Sequence, residues 1–552
     1  MGNFYRKSYP AGFVSFLILT AQLLVLTAWL PARLEARSGR AVTTARYNNS
    51  RNGWNPSEVI LNISNVNHNS FGKKWSTMIQ GEIKGSPLYV SDVLIAGQRH
   101  NVLYVATENN LIYALDADSG AELWPIPNYL GVPGNIALLP DGCGSIGPNI
   151  GITSTPVIDL EGRTLYAVGL TLEAGRNIFK MAAVDIATGR SRPGWPIVIN
   201  PPASPSLDTR VSSNRGALLL ANDMVYVPFG GYAGDCGDYH GWVVGIQKAN
   251  PQAPQLYYRT PGIGPHVGSG IWSSGGFPAD EDGNLYPATG NSFNAPALDY
   301  SNSVLRLRPN LSFSETARDF FTPSNWVDLN DADDDLGSST AIIIPRQPSS
   351  RTPNMLFIAG KRGVGHLINL DAMGGVASGD GVSGEGVYSR KVAESVFSTA
   401  AYYEDPILGP MLFLTVAGNE TICGPESRTA AMTLRQDSDG NSYYQVIWCT
   451  PPRLASASPL VTSAPGQTGI LWVVSRRTEA LHAFNAASGE ELYNSNMVPG
   501  DELGGPQKFL NFIAVDGKIF LTNEQNEVMA YGLREARFRD LDYRRMDRYP
   551  LR

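Results

Sequence analysis

The chain is short of charge. Only 17% of its 552 residues are Asp, Glu, Lys or Arg, and the formal net charge is −7 with a pI near 5.5. A nucleic-acid partner needs a basic face, so that class of function is excluded. Cysteine is scarce as well: there are four, Cys143, Cys236, Cys423 and Cys449, with no Cys-x-x-Cys and no adjacent pair, which argues for structural staples and against a dithiol redox centre. No Asp-rich stretch has EF-hand spacing. What the chain has in quantity is turn formers, 57 Gly and 38 Pro, a composition that favours short strands over long amphipathic helices.

One long apolar run stands at the N-terminus, from residue 13 to 30, after Arg6 and Lys7 and before Pro31-Ala-Arg-Leu-Glu-Ala36. A charged n-region followed by an apolar core predicts entry into a secretory route. The run also approaches the roughly 17 to 25 residues that span a bilayer, so residues 1–36 read either as a signal peptide cleaved near Ala36 or as a signal anchor. Both place the rest of the chain in a periplasmic or extracellular space, with the membrane touched only through residues 13–30. Four cysteines in such a compartment predict two disulfides with three connectivities. The tail from 534 to 552, with seven Arg against four acids, reads as a basic, solvated end.

A phrase recurs through the chain: an apolar strand, a turn built on Asp and Gly, then an aromatic residue. Residues 114–124 state it in full (Ala-Leu-Asp116-Ala-Asp-Ser-Gly120-Ala-Glu-Leu-Trp124), 484–493 restate it with Asn485 and Gly489, and 184–189 and 369–374 are partial copies. Asp or Asn bonds its own turn backbone and Gly accepts positive φ, so each copy predicts a hairpin. Such repetition predicts a modular all-β fold.

Each copy closes a unit of four apolar strand candidates. Units begin near residues 87, 155, 217, 271, 341, 396 and 459, and residues 509–533 supply three more strands without a fourth. The missing strand is most economically 74–79, which precedes the first unit and otherwise has no partner. Pairing the chain ends closes a ring and removes two exposed sheet edges. The expected fold is therefore an eight-bladed β-propeller of four-stranded antiparallel blades over residues 72–533, preceded by an extension at 37–71. Boundaries slipped by a few residues also admit seven blades. In a meander of this kind Cys143, Cys236, Cys423 and Cys449 share one face, so pairing 143 with 236 and 423 with 449 is geometrically reasonable among the three.

Turns after first and third strands are tight, whereas turns after second strands and links between blades are long. The two sets lie on opposite faces, so the long-loop face is where binding residues are expected, for a small molecule, a glycan or a protein. Residues 230–242 bring Asp235, Asp238 and His240. Trp272 lies among glycines at 268–276, where a flat ring can approach. Asn291 and Asp299 offer oxygen ligands for a hard cation, residues 331–335 form an acidic run, and Lys361 begins a turn suited to an anion. Each has a plainer alternative: Trp272 as core, His240 as a hydrogen-bonded structural residue, Asn291 and Asp299 as turn closers, and 331–335 as a solvated loop.

The unit count, the Asp-x-x-Ser/Thr-Gly-x-x-x-Trp phrase and the blade-four residues together resemble the quinoprotein alcohol dehydrogenase-like, pyrroloquinoline quinone (PQQ)-binding-like propeller repeat proteins. Residues 46–55, 151–159 and 239–245 are similar to that group in particular, and the likeness covers residues 46 to 533. The resemblance implies PQQ and Ca²⁺ as cofactors. Trp272 matches the tryptophan under the quinone, Asn291 a calcium ligand, Asp299 the catalytic aspartate and further metal ligand, and Lys361 the cation at the quinone oxygens; Asp235 and His240 lie in the loop that carries another calcium ligand. In that loop Cys236 falls where the enzymes place a Glu, and the enzymes' adjacent-cysteine ring is absent. The implied functions are accordingly a PQQ-like propeller that binds a ligand on its long-loop face, a PQQ/Ca²⁺-dependent alcohol or sugar dehydrogenase, or a cofactor-free scaffold for protein or glycan.

Overall fold

The computed structural model describes residues 1, 2, 40–144, 149–261, 268–293, 295–454, 457–508 and 510–535. The apolar run 13–30 and the tail from 536 onward lie outside them, and among the described residues no helix is long and apolar enough to cross a membrane. Contacts divide the chain into residues 1–40, of which only Met1, Gly2 and Arg40 are described, and residues 41–552.

Residues 41–535 form an eight-bladed β-propeller. Blade one is built from Leu88–Ile95, Gln98–Ala106, Leu111–Asp116 and the short Asn128–Tyr129. Blades two, three, five, six and seven repeat the antiparallel meander from Val157–Asp159, Leu219–Ala221, Ile342–Ile344, Ala401–Asp405 and Leu460–Thr462 outward. Blade four is the least regular: its inner half is joined by single bridges, Gly268 to Ser292, Ala279 to Leu285 and Ala288 to Val304. Trp272 lies between the bridged residues Gly268 and Ala279, outside any strand.

The ring closes as expected. Phe71–Met78 pairs antiparallel with Glu527–Leu533 and supplies the outer strand of blade eight, one residue before the anticipated start at 72. Arg534, assigned to the tail from sequence, belongs to this closure: its backbone N–H donates to Ser70 O at 2.7 Å and its guanidinium meets Asp501 at 2.6 Å.

The core explains why the blades repeat. Among the described residues the buried apolar side chains fall into eight clusters, and each mixes side chains of two successive blades. In blade three, Leu218 and Val225 pack toward blade two while Leu219 and Tyr226 pack toward blade four, the two-residue alternation of a strand covered on both faces. The Asp-Gly phrase is the lock between blades. Asp116 accepts the N–H groups of Asp118 and Ser119, and Gly120 turns with φ 77°. A Cβ on Gly120 would come within 2.6 Å of the indole of Trp75, and the same holds at 2.7 Å for Gly189 under Trp124 and Gly489 under Trp448. The aromatic residue that ends one blade therefore lies flat on the glycine turn of the next.

The extension before blade one is the hub of the ring. Residues 41–55 contact the inner strand of every blade. Ala41–Val42 pairs with Tyr89 and Val90 in blade one, and Trp54–Asn55 pairs with Val461 and Thr462 in blade seven. Between them, carbonyls of Thr43, Asn49, Ser50 and Asn52 accept N–H groups of Ile158, Ala279, Ile343 and Tyr402 in blades two, four, five and six. The Tyr47 hydroxyl accepts from Ala514 N–H in blade eight at 2.9 Å and donates to Ala514 O at 3.1 Å. Arg51, fully buried, donates to Leu218 O in blade three, Phe277 O in blade four, Ala45 O and Thr44 Oγ1. Arg46 reaches Ala400 O and Pro459 O in blades six and seven. The segment winds tightly to do so, with Arg46, Tyr47 and Arg51 all at positive φ.

Replacing Arg51 by Ala leaves several buried carbonyls without donors, each costing about 1–3 kcal/mol. The expected loss is at least about 3 kcal/mol, read as a lower denaturation midpoint; an unchanged midpoint would show that the hub does not hold the ring.

Candidate functional site

The links between blades and the turns after second strands converge on the ring axis above the hub. They enclose a cavity of about 280 Å³. Its floor and walls come from several blades: Ile150 and Thr153 from the link into blade two, Ser213 and Arg215 from the link into blade three, residues 231–235 and Tyr239 from the second turn of blade three, Trp272 from the link into blade four, Asp333 and Asp335 from the link into blade five, Lys361 from the second turn of blade five, Phe397 before blade six and Lys508 before blade eight. A second cavity of about 380 Å³ adjoins it through Thr153, Arg215, Ala233 and Lys508, and adds Lys84, Gln507 and Glu524. The described disulfides are Cys143–Cys236 and Cys423–Cys449, one of the three pairings open from sequence. The first ties the link into blade two to the second turn of blade three, where Gly144 N–H also donates to Ala233 O, and so fixes one wall of the cavity.

Opposite that wall, Asp335 is the organising residue. It is buried, and its Oδ1 accepts the Asn291 N–H at 2.7 Å and the Trp272 indole N–H at 3.4 Å, while Oδ2 meets Lys361 Nζ at 2.5 Å. Gly290 makes the approach feasible, because a Cβ there would fall 2.1 Å from Asp335 Oδ1. Lys361 Nζ also bonds Asp333 Oδ1 at 2.8 Å and lies 5.9 Å from the centre of the Trp272 ring; the Arg215 guanidinium lies 5.5 Å from the same ring. Burial pushes the Asp335 carboxyl above its ordinary range against the pull of Lys361. Burial acts to lower the Lys361 ammonium, but the charge of Asp335 and the bonds to Asp333 and Asp335 outweigh it and the net direction is up. Desolvation brings Arg215 down to about 10. Asp235 accepts the Tyr239 hydroxyl at 2.7 Å, and burial raises its carboxyl.

The sequence candidates separate into two sets. Trp272, Lys361 and Asp235 line the cavity. His240, Asn291 and Asp299 are not among its lining residues. His240 bonds Thr260 O through Nδ1 at 2.9 Å, and burial lowers its pKa, so its ring is a neutral structural group. Asn291 is buried behind the wall and contributes its backbone N–H. Asp299 is buried and its Oδ1 accepts the Ser301 N–H at 3.1 Å, the geometry of a turn closer. The acidic run 331–335 is exposed over residues 331–333 but ends in a buried carboxylate: Asp335 and Asp333 pair with Lys361, and Asp334 with Arg362 at 2.7 Å. Sequence reasoning missed Asp335 and Arg215. The two cationic residues at 361 and 362, matched to that acidic run, were the available signal for the first; nothing local marks the second.

Among the described residues no group of three or more His, Cys, Asp or Glu side chains is placed to hold a metal ion. Of the donors implied for calcium only Asp235 lines the cavity, Asn291 and Asp299 do not, and the carboxylates that converge there, Asp333 and Asp335, already hold the Lys361 ammonium. Calcium does not fit this arrangement.

Glu108 sits just behind Thr153. Its Oε2 accepts the Gly151 N–H at 2.6 Å and the Thr153 hydroxyl at 3.2 Å, and burial raises its carboxyl to about 7 despite those bonds. Between its ordinary value of 4.5 and about 7 the native state keeps a proton that the unfolded chain has lost, so this group's contribution to stability falls as pH rises through that window and levels above it. Wild type minus Glu108→Gln stability is expected to decline by roughly 3 kcal/mol between pH 4.5 and 7.5 in denaturant titrations; a difference that is flat with pH would remove Glu108 as a titrating group.

No protein-family model matches the chain, and no curated protein does. Solved structures do. A quinohemoprotein alcohol dehydrogenase from Pseudomonas putida HK5 is 13% identical over 89% of this chain and 80% of its own, with a TM-score of 0.59. The quinohemoprotein alcohol dehydrogenase from Comamonas testosteroni is 14% identical over 90% and 81%, at 0.58. A europium-containing methanol dehydrogenase is 13% identical over 91% and 99%, at 0.57. The chain shares their eight-bladed fold; at these identities the likeness is one of architecture.

Proposed function

We propose that this protein is an extracytoplasmic propeller whose axial cavity binds a small, flat, anionic ligand of the PQQ kind. The observation that carries the reading is the half-buried Trp272 ring flanked by two cations, Arg215 and Lys361, in a cavity that Lys508 also lines and whose adjoining lobe adds Lys84. An indole face suits a planar conjugated ring. Arg and Lys suit carboxylates, Arg through a planar fork and Lys as a point charge. The fold shared with quinohemoprotein dehydrogenases supports a quinone as the first ligand to test. Two disulfides support an oxidising compartment, in keeping with the apolar N-terminal run.

When bound, PQQ would supply an electrophilic quinone carbonyl; Trp272 would hold its face, and Arg215, Lys361 and Lys508 its carboxylates. Asp299, the base that the resemblance implies for alcohol oxidation, is bonded into a turn and does not line the cavity.

Titrating the protein with PQQ while following quenching of tryptophan fluorescence is expected to give saturable binding. Trp272→Ala should weaken it about tenfold, as loss of one aromatic contact implies. Absence of quenching by millimolar PQQ in the intact, disulfide-bonded protein would overturn the quinone reading.

A further inference from the structure

The acidic corner of the cavity carries an inference about how the ligand is held. Three carboxylates approach one another there. Asp335 and Asp333 stand 2.5 and 2.8 Å from Lys361 Nζ, and Asp235 interacts electrostatically with both Asp333 and Lys361. The enclosure is real for Asp335, whose side chain is 5% exposed and whose other oxygen is taken by backbone and indole N–H groups. Oxygen ligands at such distances around a compact positive charge are what a hard cation collects. Here the charge is an ammonium on a four-carbon stem, fixed to the second turn of blade five.

We infer that Lys361 is a resident counter-cation: its ammonium fills the cation position of the acidic corner, and ligand binding in the cavity is consequently independent of a divalent metal. The ligand half rests on the function proposed above. The cation half rests on the side-chain geometry alone. Two of the three ammonium N–H groups are taken by Asp335 and Asp333, which leaves the third for an anionic or carbonyl oxygen of a ligand lying against Trp272. The arrangement also explains how the Asp335 carboxylate is tolerated at low exposure, since a buried carboxylate needs a partner charge and hydrogen-bond donors. Removing the ammonium alone, with the chain otherwise unchanged, leaves Asp335 and Asp333 without their shared counter-charge beside an indole.

Terbium reads this directly, because an indole close to bound Tb³⁺ sensitises its green emission. In the full-length protein, Tb³⁺ titration is expected to give no saturable indole-sensitised emission that depends on Asp335. Lys361→Met is expected to gain such emission, and adding either Asp335→Asn or Trp272→Phe should abolish the gain. Circular dichroism and melting curves establish that each variant is folded. In parallel, PQQ affinity of the wild type is expected to change less than twofold between excess EDTA and millimolar Ca²⁺. The inference is overturned if wild type shows emission that Asp335→Asn removes, if folded Lys361→Met gains none, or if EDTA lowers PQQ affinity tenfold or more. If PQQ binds under neither condition, the ligand reading falls while the terbium result still decides the role of Lys361.

Discussion

Eight inner strands facing one another around an axis present their backbone groups to a space too narrow for free solvation, and buried N–H and C=O groups must be paired. Residues 41–55 meet that demand. They contact the first strand of each blade, add short strands to blades one and seven, and send Arg46 and Arg51 to carbonyls of blades three, four, six and seven. The outer end of the ring is tied by the strand Phe71–Met78. One stretch of chain before the first blade therefore both centres and closes the wheel. The Trp-on-Gly locks between blades act within that frame, since they set each blade on its neighbour but not the number of blades.

The cavity is bounded by the long links and second turns, and most blades contribute a side chain to it. The Cys143–Cys236 bond steadies one wall, and the Asp335 network with Asn291, Trp272 and Lys361 steadies the other. Carboxylate, ammonium, indole N–H and the Asn291 backbone N–H bond one another within one cluster, while the buried Asn291 side-chain Nδ2 has no hydrogen-bond partner. Such a wall is preorganised, because its members need not rearrange to meet a ligand.

The propeller shares its architecture with quinohemoprotein alcohol dehydrogenases and a europium-containing methanol dehydrogenase, and the charges on its axis are set by its own side chains. Asp335 and Asp333 face Lys361, and Asp299 closes a turn. Shared strand order fixes which links meet on the axis; it does not fix which side chain of a link turns inward, and chemistry follows the side chain.

Much of this was legible in the chain itself. The Asp-Gly phrase and the two-residue alternation are local, so blade number, the closing strand near 74–79 and the crowded face could be read without coordinates, and Trp272 and Lys361 were found because flanking glycines and a turn announce them. Asp335 was not, because an acidic run looks solvated until Lys361 and Arg362, more than twenty residues away, fold against it. Arg215 and the hub arginines escaped for the same reason: ordinary surface residues in sequence, they meet the Trp272 ring or distant carbonyls only when the ring shuts. Local repetition determined the wheel, whereas long-range convergence on the axis decided its charges, since the partners that neutralise a buried group are chosen by closure and not by spacing along the chain.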